Sequence, residues 1–415
     1  MASKGIISLV LGCALLGGYA SMFSSYRYGY LDALRVCTSN ATLPGDGPCV
    51  LDMSDSLTRS ITGFPPVDDL VNVLLEFFSQ GLRRDPNVQG IDLEAFLAFA
   101  YLATQFGGAW YIIALEGLRR RNKGTILSWT GTFGITFQAV TITIIAPIYL
   151  ALQLLGSPSI VPDPEALLVD PHDLDLLPLS AIVTYLVPSA GLCLPLIRQI
   201  PGETKLLAVA LWQPFPLYHS AVQGLGKLLR GFGGGSGARK ASTSTSVATY
   251  RKAFSRAYSF ITVLTVGVHV AVVGTMVASV TSDLVPPVSA RHVLALTSLA
   301  EPPMAAMQNP PVSLLDSREI VVSFLRWDVY CTCASLLIWS AYQLYAIRRG
   351  TLGIVSKALF YLLVGGPIFP SLMLLWERDE TALRTLEHAR RDQKTGGLSQ
   401  ERGANGSTSK GKRRT

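Results

Sequence analysis

The chain has 415 residues, of which 49% are hydrophobic and 15% are charged, with a formal net charge of +7. A soluble domain carries about 25% charged residues, so this composition argues against a soluble globular protein. The positive charge does not indicate a nucleic-acid partner, because Lys and Arg gather in loops beside apolar runs and in the last 39 residues, as is usual for membrane orientation.

Long apolar runs separate the charged segments. A spanning helix needs about 20 apolar residues, because the hydrocarbon core is about 30 Å thick and a helix rises about 1.5 Å per residue. Backbone polar groups in lipid must be hydrogen-bonded, and these runs are too long for barrel strands, so they predict helices. We expect an all-α fold, a polytopic transmembrane helical bundle of about eight spans plus one short re-entrant or interfacial helix.

Four regions follow from this pattern: an N-terminal signal anchor at 1–24, a lumenal loop at 25–63, the bundle at 64–376 and a disordered charged tail at 377–415. The first apolar run, 5–23, ends near the small residue Ala20, so a cleaved signal peptide is an open alternative. The length of the run favours a retained anchor.

The loop after the first run contains the sequon Asn40-Ala41-Thr42 between Cys37 and Cys49. This pattern predicts a lumenal segment, glycosylated at Asn40 and bridged by a disulfide, in a multi-pass protein of the endoplasmic reticulum. A chance sequon is the alternative. The other four cysteines lie in apolar runs and are expected to pack as small hydrophobic residues.

The remaining predicted elements follow in chain order. They are a short helix over 64–80 and spans over 91–118, 125–155, 177–197, 205–229, 254–281, 320–347 and 351–376. A Gly/Ser/Thr-rich linker at 231–249 is expected to be flexible.

Charge in the loops gives a partial topology. The basic loop 119–123 predicts the cytosolic face, whereas 163–175, which has five acidic residues and no Lys or Arg, predicts the lumenal face. Simple alternation then places Arg239, Lys240, Arg251 and Lys252 in the lumen, against the positive-inside rule. Removing the span 205–229 repairs that loop but moves the basic tail to the lumen, so both topologies stay open.

The short helix carries a polar face. Asp68, Asn72, Glu76 and Gln80 recur every fourth residue, which places them on one side of a helix. This face predicts either the acidic lining of a cavity or the solvated side of an interfacial helix.

Ionisable side chains within apolar spans are functional candidates, because each costs about 2.5–3.5 kcal/mol to insert. Asp328, beside Trp327, is the strongest candidate among them. Its alternative role is to pair with a group on another helix. Glu94 also suits the start of a helix, and Glu116 also suits an ion pair with the neighbouring arginines. His269, in the middle of a span, is either catalytic or a buried hydrogen-bonded residue.

Several expected motifs are missing from the sequence. It has no D-D-x-x-D or N-x-x-x-D-x-x-x-D motif for magnesium diphosphate, and Asp68-Asp69 followed by Asn72 is a poor substitute. No dinucleotide fingerprint, haem motif or Ser/His/Asp arrangement is present. We therefore expect chemistry on an apolar substrate without a metal or cofactor.

Five short motifs resemble a fungal family of polytopic membrane proteins that includes membrane-bound terpene cyclases of meroterpenoid gene clusters. They lie between about residues 61 and 379, and they are Phe64-Pro65-Pro66-Val67-Asp68, Leu115-Glu116-Gly117-Leu118-Arg119-Arg120-Arg121-Asn122, Trp212-Gln213-Pro214-Phe215-Pro216, Trp327-Asp328 and Trp376-Glu377-Arg378-Asp379.

The resemblance implies that the protein protonates an epoxide or terminal alkene on a prenyl chain and closes rings through a carbocation. Smaller membrane cyclases of this kind use a paired Glu and Asp on different helices, which correspond here to Glu116 and Asp328. Asp69 and Glu94 are further candidate carboxyl groups. A carboxylic acid among apolar groups holds its proton and can act as a general acid.

A pocket for the substrate and its cations is expected from aromatic and polar residues in the spans, because aromatic faces attract cations. The alternative for such aromatic residues is a belt at the membrane surface. The candidates are Trp110, Trp212, Gln213, Tyr218, His269 and Trp327.

The expected partners are the lipid bilayer and a hydrophobic prenylated small molecule, without nucleic acid. Two other functions remain open. A transporter or lipid-binding protein would suit the broken helices, although no inverted repeat is detectable. A membrane prenyltransferase would require magnesium.

Overall fold

A computed structural model describes residues 4–27, 30–38, 63–156, 163–233, 246–295, 314–348 and 350–408. Every regular element in these ranges is helical, which confirms the predicted all-α class. We number the helices in chain order. Their bounds are α1 Lys4–Arg27, α2 Tyr30–Thr38, α3 Pro65–Gly81, α4 Leu93–Gly117, α5 Thr130–Ala139, α6 Ile142–Leu155, α7 Pro171–Ile197, α8 Gly202–Trp212, α9 Phe215–Gly233, α10 Val247–Thr281, α11 Ala290–Val293, α12 Leu314–Arg348, α13 Thr351–Gly365 and α14 Phe369–Thr408.

Five of these helices are long and apolar enough to cross a membrane, namely α1, α4, α7, α10 and α12. Helices α6 and α13 are apolar but shorter. The predicted count of about eight spans is not confirmed. Helices α4 and α12 are more deeply buried than the other three, so the core of the bundle lies around them.

The predicted span 125–155 is a helical hairpin made of α5 and α6. The chain turns at Thr141, a non-glycine residue with φ of 149°. The rings of Phe133 and Tyr149 are 5.0 Å apart across the hairpin, and the Tyr149 hydroxyl donates to the carbonyl of Leu127 at 3.0 Å. Helix α6 therefore returns to the end of the bundle where α5 begins.

The predicted span 351–376 is a second hairpin, made of α13 and α14. It turns at Gly366, whose φ is +81°, just before Pro367. A Cβ at position 366 would lie 2.8 Å from Nε2 of Gln105, so this turn requires glycine by both conformation and space. On the return, Glu377 of α14 accepts a 2.8 Å bond from Lys357 of α13.

The predicted span 205–229 is interrupted but continues in one direction. Helix α8 ends at Trp212 and α9 starts at Phe215, on either side of Gln213 and Pro214. Arg230 of α9 pairs with Asp170 at the start of α7 at 2.5 Å. Since α8 begins just after α7 ends, α8 and α9 together run from one end of the bundle to the other.

The basic loop and the acidic loop lie at the same end of the bundle, so the expectation of opposite faces is wrong. The Arg120 amide donates to Leu168 at 2.9 Å, and the Arg120 side chain pairs with Glu165 at 2.9 Å. The reason is the α5–α6 hairpin, which brings the chain back to the end that it left after α4.

Basic side chains of other helices meet at this same end, which we call the basic end. Arg256 of α10 pairs with Asp175 of α7 at 2.5 Å, and Arg251 pairs with Glu380 of α14 at 3.0 Å. The two hairpins and the α8–α9 pair thus bring these residues to the end with Arg119–Lys123. This arrangement removes the conflict with the positive-inside rule that simple alternation creates for Arg251.

Helix α1 packs along one side against α6 and α12. Gly17 permits this approach, since a Cβ there would lie 2.9 Å from the Cβ of Cys331. Cys37 is disulfide-bonded, in agreement with the predicted bridge, whereas Asn40 and Cys49 lie outside the described residues.

The chain stays helical where a disordered tail is expected after Trp376. Helix α14 runs to Thr408, and Arg378, Asp379, Leu383 and Leu386 are buried. These side chains pack onto the basic end of the bundle, beyond the boundary expected at 377. The part of the tail after 408 lies outside the described residues.

The short helix is found as α3, but its polar face has neither predicted role. Asp68, Asn72, Glu76 and Gln80 are all buried, and none of them lines the cavity described below. Gln80 donates to Glu76 at 2.5 Å, and Arg83 lies 3.8 Å from Glu76. This face is therefore a buried polar network within the protein.

Candidate active site

A cavity of about 380 Å³ runs between α2, α3, α4 and α12 toward the tip of the α5–α6 hairpin. This volume lies within the range of about 300–1,000 Å³ that is usual for small-molecule sites. Most of its lining side chains are apolar or aromatic. The two ends of the cavity differ in chemistry.

One end of the cavity, which we call the aromatic end, is formed by Phe106, Phe137, Tyr185 and Trp212. The Phe106 ring lies at its centre, 5.7 Å from Phe137 and 6.0 Å from both Tyr185 and Trp212. Tyr185 is held by its hydroxyl, which donates to the Ala103 carbonyl at 2.6 Å. Fixed aromatic faces of this kind can stabilise positive charge.

Asp328 of α12 lies in the wall of the aromatic end and is 6% exposed. Its Oδ1 atom accepts a hydrogen bond from the Thr143 amide at 2.9 Å and a second from the Thr141 hydroxyl. Both donors belong to the first turn of α6 and its cap, so the positive end of that helix faces the carboxyl group. The positive φ of Thr141 makes this a strained turn at the site.

The other end of the cavity carries charged side chains near the starts of α4 and α12. Glu94 of α4 accepts from the Ser289 amide at 2.9 Å and lies 2.7 Å from Nδ1 of His292. Arg318 of α12 pairs with Asp92 at 2.6 Å. Asp328 lies ten residues, or about 15 Å, farther along α12 than Arg318.

Glu116 does not line this cavity. It is fully buried and pairs with Arg119 at 2.6 Å and with Arg378 at 2.8 Å. Arg119 also binds Asp379 at 2.8 Å, and the Tyr258 hydroxyl donates to Asp379 at 2.7 Å. The geometry therefore favours the alternative role of Glu116, an arginine partner, over a pair with Asp328.

The other predicted site residues lie at different distances from the cavity. Glu94 and Trp212 line the cavity together with Asp328. Trp110 lies one layer behind, with its ring 5.6 Å from that of Phe137, and Gln213 lies outside the lining. Neither amide atom of Gln213 has a hydrogen-bond partner among the residues described.

The remaining candidates lie away from the cavity. Asp69 and Tyr218 are exposed, and Trp327 packs against Ala20 of α1. The Nε2–H group of His269 donates to the carbonyl of Leu363 at 3.2 Å, and its ring lies 5.8 Å from that of Tyr101 of α4. The structure thus brings His269 to the face of α4 that carries Tyr101 and Gln105, at the tip of the second hairpin.

Sequence reasoning missed Phe106, Phe137, Tyr185 and Thr141. The three aromatic residues resemble ordinary core residues of apolar spans, so spacing alone does not distinguish them. Thr141 lies within an apolar run of more than 25 residues. No proline or glycine at that position marks the turn.

The family model described as the CtvD domain matches residues 6–383. The chain belongs to the CtvD domain family. The match includes α1 and most of the packed part of α14, and it contains every residue named in the site.

Several relatives of this CtvD domain protein are named as terpene cyclases. The chain is 27% identical over 336 residues to "Terpene cyclase ascI" of Acremonium egyptiacum, which covers 78% of this chain and 80% of the relative. It is 24% identical to "Terpene cyclase ctvD" of Aspergillus terreus, over 89% and 96% of the two chains. It is also 24% identical to "Terpene cyclase penA" of Penicillium crustosum, over 90% and 95%. No solved structure matches the chain.

Proposed function

We propose that this CtvD domain protein is a membrane-embedded terpene cyclase in which Asp328 protonates an epoxide or alkene of a prenylated substrate. The names of the relatives support the reaction class. The five apolar helices support the location. The single observation that carries the mechanism is the position of Asp328 in the wall of the aromatic end.

The position of Asp328 distinguishes it from the other cavity carboxyl groups. Within the described part of the chain, the cavity-lining acids are Asp32, Glu94, Glu319 and Asp328. The first three lie with the charged groups, whereas Asp328 is bound to Thr141, at the tip of the hairpin that also carries Phe137. A protonated carboxyl group among such rings can donate its proton to an apolar substrate.

The reaction is balanced within the substrate and one carboxyl group. The O–H bond of Asp328 breaks as its proton moves to the epoxide oxygen, whose C–O bond then breaks, or to an alkene carbon, where the π electron pair forms the new C–H bond. Either route leaves a tertiary carbocation. The electron pair of a neighbouring alkene then forms the new carbon–carbon bond and moves the cation along the chain. The last cation loses a proton, or an internal hydroxyl attacks it and loses its proton. This proton returns, directly or through water, to the Asp328 carboxylate, so the acid is regenerated and substrate and product are isomers.

The hairpin tip stabilises the carboxylate that remains after proton transfer. Oδ1 already accepts from Thr141 and Thr143, and hydrogen bonds to ionised acceptors are the stronger ones. Phe106 and Trp212 line the same cavity as Asp328, and aromatic rings there can stabilise the cation that forms. Burial at this end also keeps water from trapping the cation early.

The experiment that tests the function is conversion of a prenylated epoxide by microsomes containing the protein. We expect an isomeric cyclic product of unchanged mass that is absent from microsomes lacking the protein. Turnover should survive EDTA. Formation of a heavier product by prenyl transfer, with loss in EDTA and recovery with Mg²⁺, would favour the prenyltransferase instead.

A further inference from the structure

The cavity has a charged rim as well as an aromatic end. The rim consists of the six charged or titratable side chains that line the cavity near the starts of α4 and α12, namely Asp32, Arg35, Glu94, His292, Arg318 and Glu319. An apolar prenyl chain alone would make no favourable contact with these groups, since a purely apolar ligand gains nothing from charged side chains. The rim therefore indicates a ligand with a polar end.

Packing of α2 explains why two charged residues reach the rim. Tyr30 and Leu34 of α2 are buried against Phe77 of α3 and against Ile320 and Val321 of α12. The opposite side of α2 then carries Asp32 and Arg35, three residues apart, toward the cavity.

Most rim residues already have partners within the protein. Glu94 is bound by His292 and the Ser289 amide. Arg318 pairs with Asp92 at 2.6 Å, and Glu319 lies 3.3 Å from Arg326.

Asp32 and Arg35 differ from the rest of the rim. In the described ranges, no hydrogen bond or ion pair involves either side chain, and both are exposed to the cavity. A guanidinium group donates and a carboxylate accepts. Together they match a head group that both accepts and donates hydrogen bonds, as a phenolic or enolic hydroxyl does.

The length of the cavity sets the arrangement of such a ligand. Arg318 at the rim and Asp328 at the aromatic end are about 15 Å apart along α12, which is about half of a hydrocarbon core of roughly 30 Å. The rim also lies at the end of the bundle opposite the basic end, because α4 runs from Glu94 to the basic loop. A substrate spanning this distance would lie parallel to the helices, as a lipid does in one leaflet.

We infer that the substrate is an amphiphile whose hydroxylated head is held by Arg35 and Asp32 at the charged rim, while its prenyl chain extends to Asp328. This inference rests on the proposed function. It assigns Arg35 and Asp32 to head-group selection, so they determine which prenylated compounds are bound, and it assigns no chemical step to them.

The test compares two prenyl epoxides that differ only in the head group, one with a free aromatic hydroxyl and one with hydrogen in its place. In Arg35→Gln, KM for the hydroxylated substrate should rise about tenfold or more with little change in kcat, because a hydrogen bond to a charged group is lost. KM for the substrate without the hydroxyl should stay within about twofold. Asp32→Asn should show the same selectivity in weaker form.

Arg198→Gln is the matched control. Arg198 is exposed near the start of α4 but does not line the cavity, so both KM values should match the wild type. Equal effects of Arg35→Gln on the two substrates, or no effect on either, would overturn the inference while leaving the cyclase intact. Failure of the wild type to convert either substrate would instead overturn the proposed function, and the inference with it.

Discussion

The tip of the α5–α6 hairpin holds Asp328 in position through two hydrogen-bond donors. Thr141 has a φ of 149°, a conformation that costs on the order of 1–3 kcal/mol for a residue other than glycine. Its hydroxyl and the Thr143 amide converge on the same carboxyl oxygen. The strain is therefore stored at the point where it positions the proton donor.

Replacing Thr141 separates this positioning role from packing. Thr141→Val keeps the shape of the side chain but removes the hydroxyl donor to Asp328, so kcat should fall about tenfold or more. Thr141→Ser restores the hydroxyl and should recover kcat to within about threefold. Steady-state kinetics, with the rates divided by the amount of folded protein, measures kcat for both variants. Equal kcat for the Val and Ser variants would show that the hydroxyl does not position the acid.

Glu116 should matter for stability rather than chemistry. Glu116→Gln leaves the buried guanidinium groups of Arg119 and Arg378 with one carboxylate, Asp379, between them. Breaking a buried ion pair costs about 3–5 kcal/mol, so the melting temperature in detergent should fall clearly while kcat per folded molecule persists. Glu165→Gln, at an exposed pair with Arg120, should change stability by less than about 0.5 kcal/mol. A stable but inactive Glu116→Gln would return Glu116 to the catalytic machinery.

The sequence predicted some of these residues for a physical reason. A carboxyl group within an apolar span is rare and costly, which identified Asp328 and Glu116 correctly as unusual. It could not decide their roles, because only Arg119 among the partners of Glu116 is near in sequence, whereas Arg378 lies 262 residues away. The donors to Asp328 are likewise distant, on α6.

At the scale of elements, two helical hairpins replace two predicted spans. The two runs are mostly apolar and contain a single charged residue, Lys357, so hydropathy alone predicts a crossing for each. Their tips meet the middle of crossing helices instead, Thr141 at Asp328 and Gly366 at Gln105. Irregular backbone at such depth is tolerated when protein surrounds it. Composition does not reveal a turn like the one at Thr141.

Folding should require helix α14 as far as the last of its buried residues. A chain ending at residue 376 lacks Arg378, Asp379, Leu383 and Leu386, all of which are buried. We expect it to be degraded or inactive, whereas a chain ending at residue 392 should keep wild-type abundance and turnover. Immunoblots of membranes measure the abundance of each chain, and the cyclisation assay measures its turnover. Normal activity of the shorter chain would support the disordered tail that the composition suggested.

At the scale of the whole molecule, the helices give a consistent topology. Helices α1, α4, α7, α10 and α12 and the α8–α9 pair run from end to end, and both hairpins start and finish at the basic end. By the positive-inside rule, we expect the basic end to face the cytosol. The charged rim of the cavity then faces the lumen.

Cysteine labelling tests this topology. Single cysteines at Lys123 and Glu165 should react from the same side of sealed microsomes, because the structure joins their two loops. A cysteine at Asp283, an exposed residue after α10, should react only from the other side. A membrane-impermeant reagent with and without detergent distinguishes the sides. Reaction of positions 123 and 165 from opposite faces would disprove the α5–α6 hairpin.

The rate of ring closure by Asp328→Asn decides whether Asp328 is the proton donor. The amide keeps the size of the side chain and still accepts from the Thr143 amide, but it lacks the acidic proton. With protein amounts normalised by membrane-inserted, folded enzyme, product formation should fall by about 10²–10⁴-fold. Asp283→Asn, at a residue that does not line the cavity, should cyclise normally. An Asp328→Asn protein that forms product at the wild-type rate would contradict the account.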